Sequence, residues 1–178
     1  MLNPAIPSGG APLISVGMTA YNAERYLGAA IESILAQTFP DWELLIVNDG
    51  STDGSLERIR SYKDPRIRCF DQPNGGPAVG YNRAIAESRG YYFAIFNADD
   101  VCYPDRLEYQ HQSYVRGNRR VLFSAPDFID SEGNPMSGDH FLSGRFRTDC
   151  QSRAQTLERF FVHRNFLCRH SLPNAKFF

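Results

Sequence analysis

An excess of charge of either sign is missing from this chain: nineteen Lys and Arg stand against twenty Asp and Glu, a formal net charge of -1. Nucleic-acid-binding domains carry a basic excess, so no nucleic-acid partner is expected. Cysteine is sparse. The four that occur, Cys69, Cys102, Cys150 and Cys168, form no CxxC pair and meet no His at metal-ligand spacing. A zinc site is thereby excluded, and reduced thiols are expected. No apolar run approaches the roughly 20 residues that cross a bilayer. The opening MLNPAIPSGGAP has no basic stretch ahead of an apolar one, so it reads as a loose Pro/Gly/Ser tail over residues 1–12 rather than a secretory signal. A cytoplasmic location follows, with peripheral contact at the inner face of the membrane left open.

Several catalytic signatures are also lacking. There is no GxxxxGK[ST], which argues against a P-loop ATPase. No GxGxxG follows the first apolar run, which argues against a dinucleotide dehydrogenase. No GxSxG elbow is present. No internal repeat or low-complexity tract occurs either.

What is there is an ordinary globular composition, 42% hydrophobic and 22% charged over 178 residues. That length suits one domain, expected over 13–178. Apolar, β-branched runs at LISVGM (13–18), ELLIV (43–47), IRCF (67–70) and YYFAIF (91–96) read as strands. Between them, helical spacing runs over 23–37, a short helix capped by Ser51, Thr52 or Asp53 reaches Tyr62, and Pro77 opens a helix reaching Ser88. Pro104 and Asp105 open another helix. A fifth strand with a hairpin turn at Glu132–Asn134 and a helix at Thr156–His163 are expected beyond it. Strands alternating with helices imply parallel βαβ units. Continuous rather than alternating apolar strands imply a doubly wound sheet covered on both faces.

Polar residues gather just beyond three strand ends: Thr19 and Asn22, Asn48 and Asp49, and Asn97 through Asp100. Open α/β sheets bind ligands at that edge. Asp99 and Asp100 suit a hard divalent cation, Mg²⁺ or Mn²⁺, shared with substrate phosphates. They equally suit an N-cap, with Asp100 opening the helix near Pro104 and Asp99 solvated. Asp49 either accepts from a nucleobase N–H or forms an Asx turn before Gly50. Thr19 either donates to the same base or simply finishes its strand. Asn82 and Arg83 lie near a helix N-terminus, where an anion is favoured, although Arg83 reads more simply as a solvated charge.

The ordered stretches ISVGMTAYNAERYLGAAIESILAQTFPDWELLIVNDGSTDGS and NGGPAVGYNRAIAESRGYYFAIFNADD resemble the N-terminal half of family 2 glycosyltransferases, which have the Rossmann-like GT-A fold. The resemblance covers about residues 13–130. It implies an inverting enzyme that moves a sugar from a nucleotide diphosphate donor, commonly a UDP-sugar, to an acceptor hydroxyl on a glycan or lipid-linked substrate. It implies bacterial surface-polysaccharide assembly as the setting. It places Thr19 and Asp49 at the base and Asn97 near the ribose. Tyr21, Asn48 and Asn82 join the nucleotide-binding set, while Asp99 coordinates the metal and Asp100 supports it.

The chain departs from that pattern in three ways. Asn48 and Asn97 stand where the family usually has the first Asp of "DDGS" and of "DxD". Tyr81 stands where many members carry Arg. The family's catalytic "ED" pair has no counterpart, since RHSLPNAKFF after Cys168 contains no acid. Asp139 and Asp149 read as loop residues rather than substitutes. The ending resembles a truncated domain, so a catalytically silent nucleotide-sugar-binding fragment and a GT-A-like interaction module stand as alternatives.

Overall fold

The computed structural model describes residues 10–117, 121–123, 127, 129–131, 134 and 166–169. The chain divides into two compact units, one of 1–122 with 165–178 and one of 123–164. In the first, the strands β1 (Ile14–Ala20), β2 (Trp42–Asp49), β3 (Ile67–Gln72) and β4 (Tyr92–Asn97) alternate with the helices α1 (Glu24–Leu35), α2 (Ser55–Ser61) and α3 (Pro77–Glu87). Helix α4 (Arg106–Gly117), β5 (Val121–Phe123) and β6 (Phe166–Arg169) follow. The sheet order is β3-β2-β1-β4-β6-β5. Pairings among the first four strands are parallel, and β6 runs antiparallel to β4.

The expected strands are all present, and the first four extend further toward their polar ends: β1 reaches Ala20, β2 Asp49, β3 Gln72 and β4 Asn97. Neighbouring ladders carry the backbone through residues whose side chains alone read as turn. The fifth strand is only three residues long. β6 was not expected at all, because its place depends on antiparallel pairing with β4 from far along the chain. The hairpin turn is partly visible in the second unit, where Asp130 N donates to Asn134 O at 3.0 Å and Asn134 N to Asp130 Oδ1 at 2.8 Å. The helix expected at Thr156–His163, Asp139, Asp149 and most of the expected tail lie outside the described residues.

Alternation along the strands builds two apolar layers. Ile14, Val16 and Met18 of β1, Leu44 and Ile46 of β2, and Tyr92, Ala94 and Phe96 of β4 pack with Leu27, Ala30, Ile31 and Ile34 of α1 and Leu107 of α4. Leu45, Val47 and Phe93 face the other way and pack with Ala84 of α3. Both faces are therefore covered, as continuous apolar strands require. Gly17 has a steric reason: a Cβ there would come within 2.2 Å of the Phe93 ring.

A polar knot closes the end of the sheet opposite the strand carboxyl ends. Glu43 is buried, 5% exposed. Its Oε1 accepts from Ser15 Oγ (2.7 Å) and Arg89 N (2.7 Å), and its Oε2 from Arg68 Nη1 at 3.1 Å. Ser15 Oγ in turn accepts from Gly90 N at 2.8 Å. Gly90 serves this close approach rather than ending α3, which stops at Glu87. Arg68 also reaches Glu87 Oε2 at 3.4 Å, on a more exposed carboxylate. Removing one partner of a buried charge pair strands the other. Glu43→Ala is thus expected to lower unfolding free energy in urea by about 3 kcal/mol. Glu87→Ala should lower it by less than about 1 kcal/mol. Equal losses would refute this division.

Candidate active site

Because β3, β2, β1 and β4 are parallel, their carboxyl ends share one edge, and the register sets the polar residues side by side. Thr19 pairs with Asn97 across β1/β4, Ala20 with Asn48 across β1/β2, and Asn48 and Asp49 with Asp71 and Gln72 across β2/β3. The strand order reverses beside β1, where such sheets hold ligands.

Asp49 is 1% exposed. Its Oδ1 accepts from Gln72 Nε2 (2.7 Å) and Gly75 N (3.0 Å), and its Oδ2 from Gly76 N at 2.8 Å. The carboxylate organises the 72–76 loop. Gly76, with φ of +83°, starts α3 immediately before Pro77. Gly50 takes φ of +72°, and a Cβ there would lie 2.6 Å from Asn74 N, so the same loop closes over the end of β2. An ionised carboxylate offers about four acceptor positions. Three are filled here. Asn48, also 1% exposed, donates from Nδ2 to Asp71 Oδ1 at 2.7 Å, while its own Oδ1 is buried without a partner.

On the far side of β1, Asn97 donates from Nδ2 to Asp100 Oδ2 at 2.8 Å. Its Oδ1 accepts from the Tyr81 hydroxyl at 2.9 Å, and that hydroxyl also lies 3.1 Å from Phe96 O. Burial, with Asp100 and Asp99 adding negative charge nearby, holds the Tyr81 phenol far above its ordinary value. Asp99 is exposed and Asp100 half-buried. Tyr21 is 54% exposed, one residue past the end of β1, and Asn82 on α3 is also exposed. Thr19 is half-buried against α3, where a Cβ on Gly80 would lie 3.0 Å from Thr19 Cβ.

The loop that carries the two acids is clamped from α1. Gln37 Nε2 donates to Tyr103 O (2.8 Å), Ser33 O (3.1 Å) and Cys102 Sγ (3.2 Å), and Gln37 Oε1 accepts from Leu107 N at 2.9 Å. Cys102 N donates to Ser33 Oγ at 3.2 Å. Gln37 therefore caps α4, which begins at Arg106, six positions past Asp100. The expectation that Asp100 caps this helix is corrected: α4 begins six positions later, and Gln37, just past the end of α1, accepts from its Leu107 N–H. Behind the acids, Arg106 donates from Nη2 to Ile95 O at 3.3 Å, with its carbon 5.1 Å above the Phe96 ring. Its Nε and Nη1 are buried without hydrogen-bond partners. Burial pulls this guanidinium down, while Cys102 and Asp100 favour its charge.

The 51–55 loop reaches back to the start of α1. Asn22, at φ of +49°, accepts from Thr52 N at 2.8 Å. Ala23 N donates to Ser55 Oγ (2.9 Å), Glu24 N to Asp53 Oδ2 (3.1 Å), and Gly54 N back to Glu24 Oε2 (3.0 Å). The amides that open α1 are thus satisfied from α2's loop, and the two loops beside the site are tied together. Asp53 Oδ1 also accepts from Ser55 N, but Gly54 is the N-cap of α2 and no side-chain cap bond forms, so the cap expected from Ser51, Thr52 or Asp53 is corrected. Arg83 is not simply a solvated charge: its Nη1 donates to Asp71 O (2.8 Å) and Gln72 Oε1 (3.3 Å), bracing β3.

The structure thus brings Thr19, Asn48, Asp49 and Asn97 to one edge, with the Asp99–Asp100 loop beginning where β4 ends. Sequence reasoning missed Gln37, Gln72 and Arg106. Each belongs to a residue type that is mostly surface in helices and strands, and each matters only through neighbours distant in the chain.

A mostly parallel α/β sheet with an acidic loop at the carboxyl edge, beside the point where strand order reverses, is the architecture of a GT-A glycosyltransferase. The family model described as "Glycosyl transferase family 2" matches residues 15–173, and the chain belongs to that family. It is 34% identical over 134 residues to TuaG of Bacillus subtilis (strain 168), a protein named for teichuronic acid biosynthesis, covering 74% of this chain and 52% of that one. It is 41% identical over 99 residues to the chondroitin synthase of Pasteurella multocida (strain Pm70), covering 54% and 10% respectively. Among solved structures it is similar to S. aureus TarS 1-349 in complex with UDP-GlcNAc, at 26% identity and a TM-score of 0.58, covering 61% of this chain and 32% of that chain. The chain spans from a tenth to about half the length of the curated relatives it matches.

Asp53 also gives this region an acid sensitivity. The Ser55 hydrogen bond, joined by the Ser55 and Glu24 amides and opposed by slight burial, holds its carboxyl below the ordinary 3.8. The folded chain then binds this proton more weakly than the unfolded chain. The stabilisation is complete above about pH 4 and fades as pH falls below it. Asp64 behaves alike through Arg66. In urea midpoints between about pH 6 and pH 2, Asp53→Asn is expected to start lower than the parent and lose less on acidification. Parallel curves would refute the role of Asp53.

Proposed function

We propose that this chain carries the donor half of a glycosyltransferase site, binding a uridine diphosphate sugar together with a divalent cation. The observation that carries the reading is the convergence, along one sheet edge, of a pre-oriented acceptor at Asp49, Thr19 on β1, and the Asp99–Asp100 loop after β4. The UDP-GlcNAc complex of similar TarS supports the choice of donor. The names of the Pasteurella and Bacillus relatives support a polysaccharide as the product.

Asp49 keeps one acceptor position beyond its three loop donors, which suits the single ring N–H of uracil. Thr19, Tyr21, Asn48 and Asn82 would supply the remaining polar contacts to the nucleotide. The donor set for a cation is two adjacent carboxylates. Among the described residues no group of three or more His, Cys, Asp or Glu is placed to hold a metal. That count fits Mg²⁺ or Mn²⁺, which take one or two carboxylates and complete their shell with phosphate oxygens and water. It does not fit a zinc cage. Asp99, the exposed acid, would be the direct ligand and Asp100 its support. When bound, such an ion neutralises charge gathering on the diphosphate as it leaves.

The transfer itself would be a direct displacement. The acceptor hydroxyl bonds to the anomeric carbon, the bond to the diphosphate oxygen breaks, and the configuration inverts. A carboxylate must take the hydroxyl proton, and no described residue is assigned that task. Among the described residues no helix is long and apolar enough to cross a membrane. Work on the cytoplasmic side, on a glycan or lipid-linked acceptor, is part of the same proposal.

Calorimetric titration with UDP and Mn²⁺ tests the reading. The parent chain should bind UDP more tightly with Mn²⁺ than without. Asp99→Ala should abolish that difference while leaving the circular dichroism spectrum unchanged. An Asp99→Ala variant with full Mn²⁺-dependent affinity would sink the assignment.

A further inference from the structure

Tyr81, Asn97 and Asp100 form a chain of hydrogen bonds whose direction can be deduced from chemistry alone. An ionised carboxylate only accepts. Asp100 Oδ2 lies 2.8 Å from the Asn97 amide, so the NH₂ end must face it. The amide oxygen then faces the opposite way, 2.9 Å from the Tyr81 hydroxyl, which must donate. The other group near that hydroxyl, Phe96 O at 3.1 Å, is also an acceptor. The phenol is therefore fixed as a donor. Flipping the Asn97 amide would set oxygen against oxygen at Asp100. An aspartate at 97 could not make this chain, since it has no N–H to give Asp100 and would repel it.

We propose that Tyr81 is a positioning residue: through the Asn97 amide it orients the Asp100 carboxylate and so sets how tightly the acidic loop holds a divalent cation. This rests on the nucleotide and cation reading above and extends it to α3, on the other face of the sheet. Tyr81 is half-buried, its hydroxyl set against Phe96 O and Asn97 Oδ1 of β4, and its effect passes through that one amide. Tyrosine at 81 and asparagine at 97 are then a matched pair, each explaining the other's presence.

The test uses the whole chain as parent, Tyr81→Phe, Asn97→Ala and the double variant, with two readouts. In the metal-free protein, ¹⁵N spectra follow the Asn97 side-chain NH₂ signals. Tyr81→Phe should shift them, because the amide loses the donor that fixes it. In calorimetry with UDP present, Tyr81→Phe should weaken Mn²⁺ binding about tenfold, a usual effect of losing a group that orients a metal ligand. UDP affinity without metal should be unchanged. Asn97→Ala should weaken Mn²⁺ binding by a similar factor, and adding Tyr81→Phe to it should change nothing further.

Undiminished Mn²⁺ affinity in Tyr81→Phe overturns the inference. So does a full Tyr81→Phe effect that persists in the Asn97→Ala background, since it would then act by another route. A parent chain with no Mn²⁺-dependent UDP binding overturns the underlying site reading and the cation half of this inference with it. The amide signals need no ligand, so unmoved Asn97 resonances in Tyr81→Phe sink the positioning role separately.

Discussion

Parallel pairing of β1 on both sides is the constraint from which the rest follows. It forces the ends of four strands onto one edge, so polar residues from widely separated parts of the sequence become neighbours there. The continuous apolar strands cost nothing at that edge, because both sheet faces are covered by helices that contribute their own apolar stripes. What remains at the edge is backbone and polar side chains, and their hydrogen bonds decide the shape of each loop. Asp49 shapes the 72–76 loop, the 51–55 loop shapes the start of α1, and Gln37 shapes the loop after β4.

Two adjacent carboxylates at the mouth of an apolar strand raise an electrostatic problem that this arrangement partly solves without any ion. Asn97 donates to Asp100, and the buried Arg106 guanidinium contributes a favourable field from behind. Asp99 is exposed to solvent. The two acids are thus unequal, one held by protein and one turned outward. That inequality is what a shared cation site needs, since a rigid supporting group and an accessible ligand are different jobs.

Much of the fold was legible because strand and helix patterns here are strong: apolar runs with clean breaks at Pro, Gly and Asp fixed the order of the first four strands and their helices. The four-residue β6 was not legible, since its place depends on an antiparallel pairing with β4 from far along the chain. The candidate site was readable as a set of strand ends, and the register confirms that Thr19, Asn48, Asp49 and Asn97 share that edge. Its internal wiring was not. Tyr81 reads only as the loss of an expected arginine until its hydroxyl is seen beside Asn97. Gln37 reads as the last residue of a helix until its amide is seen to hold three segments together. Arg83, read as a solvated charge, is bonded to β3 because the sheet's edge strand offered it two acceptors.

The Phe93 ring lies across β1 where Gly17 leaves room for nothing else. A ring parked over a bare backbone position makes the two sites mutually dependent in descent. A lineage that first gains a methyl at 17 collides with the ring, whereas one that first shrinks the ring opens a void that a methyl can later fill. Divergence at this pair is therefore coupled, since a larger residue at 17 requires the Phe93 ring to shift or to shrink.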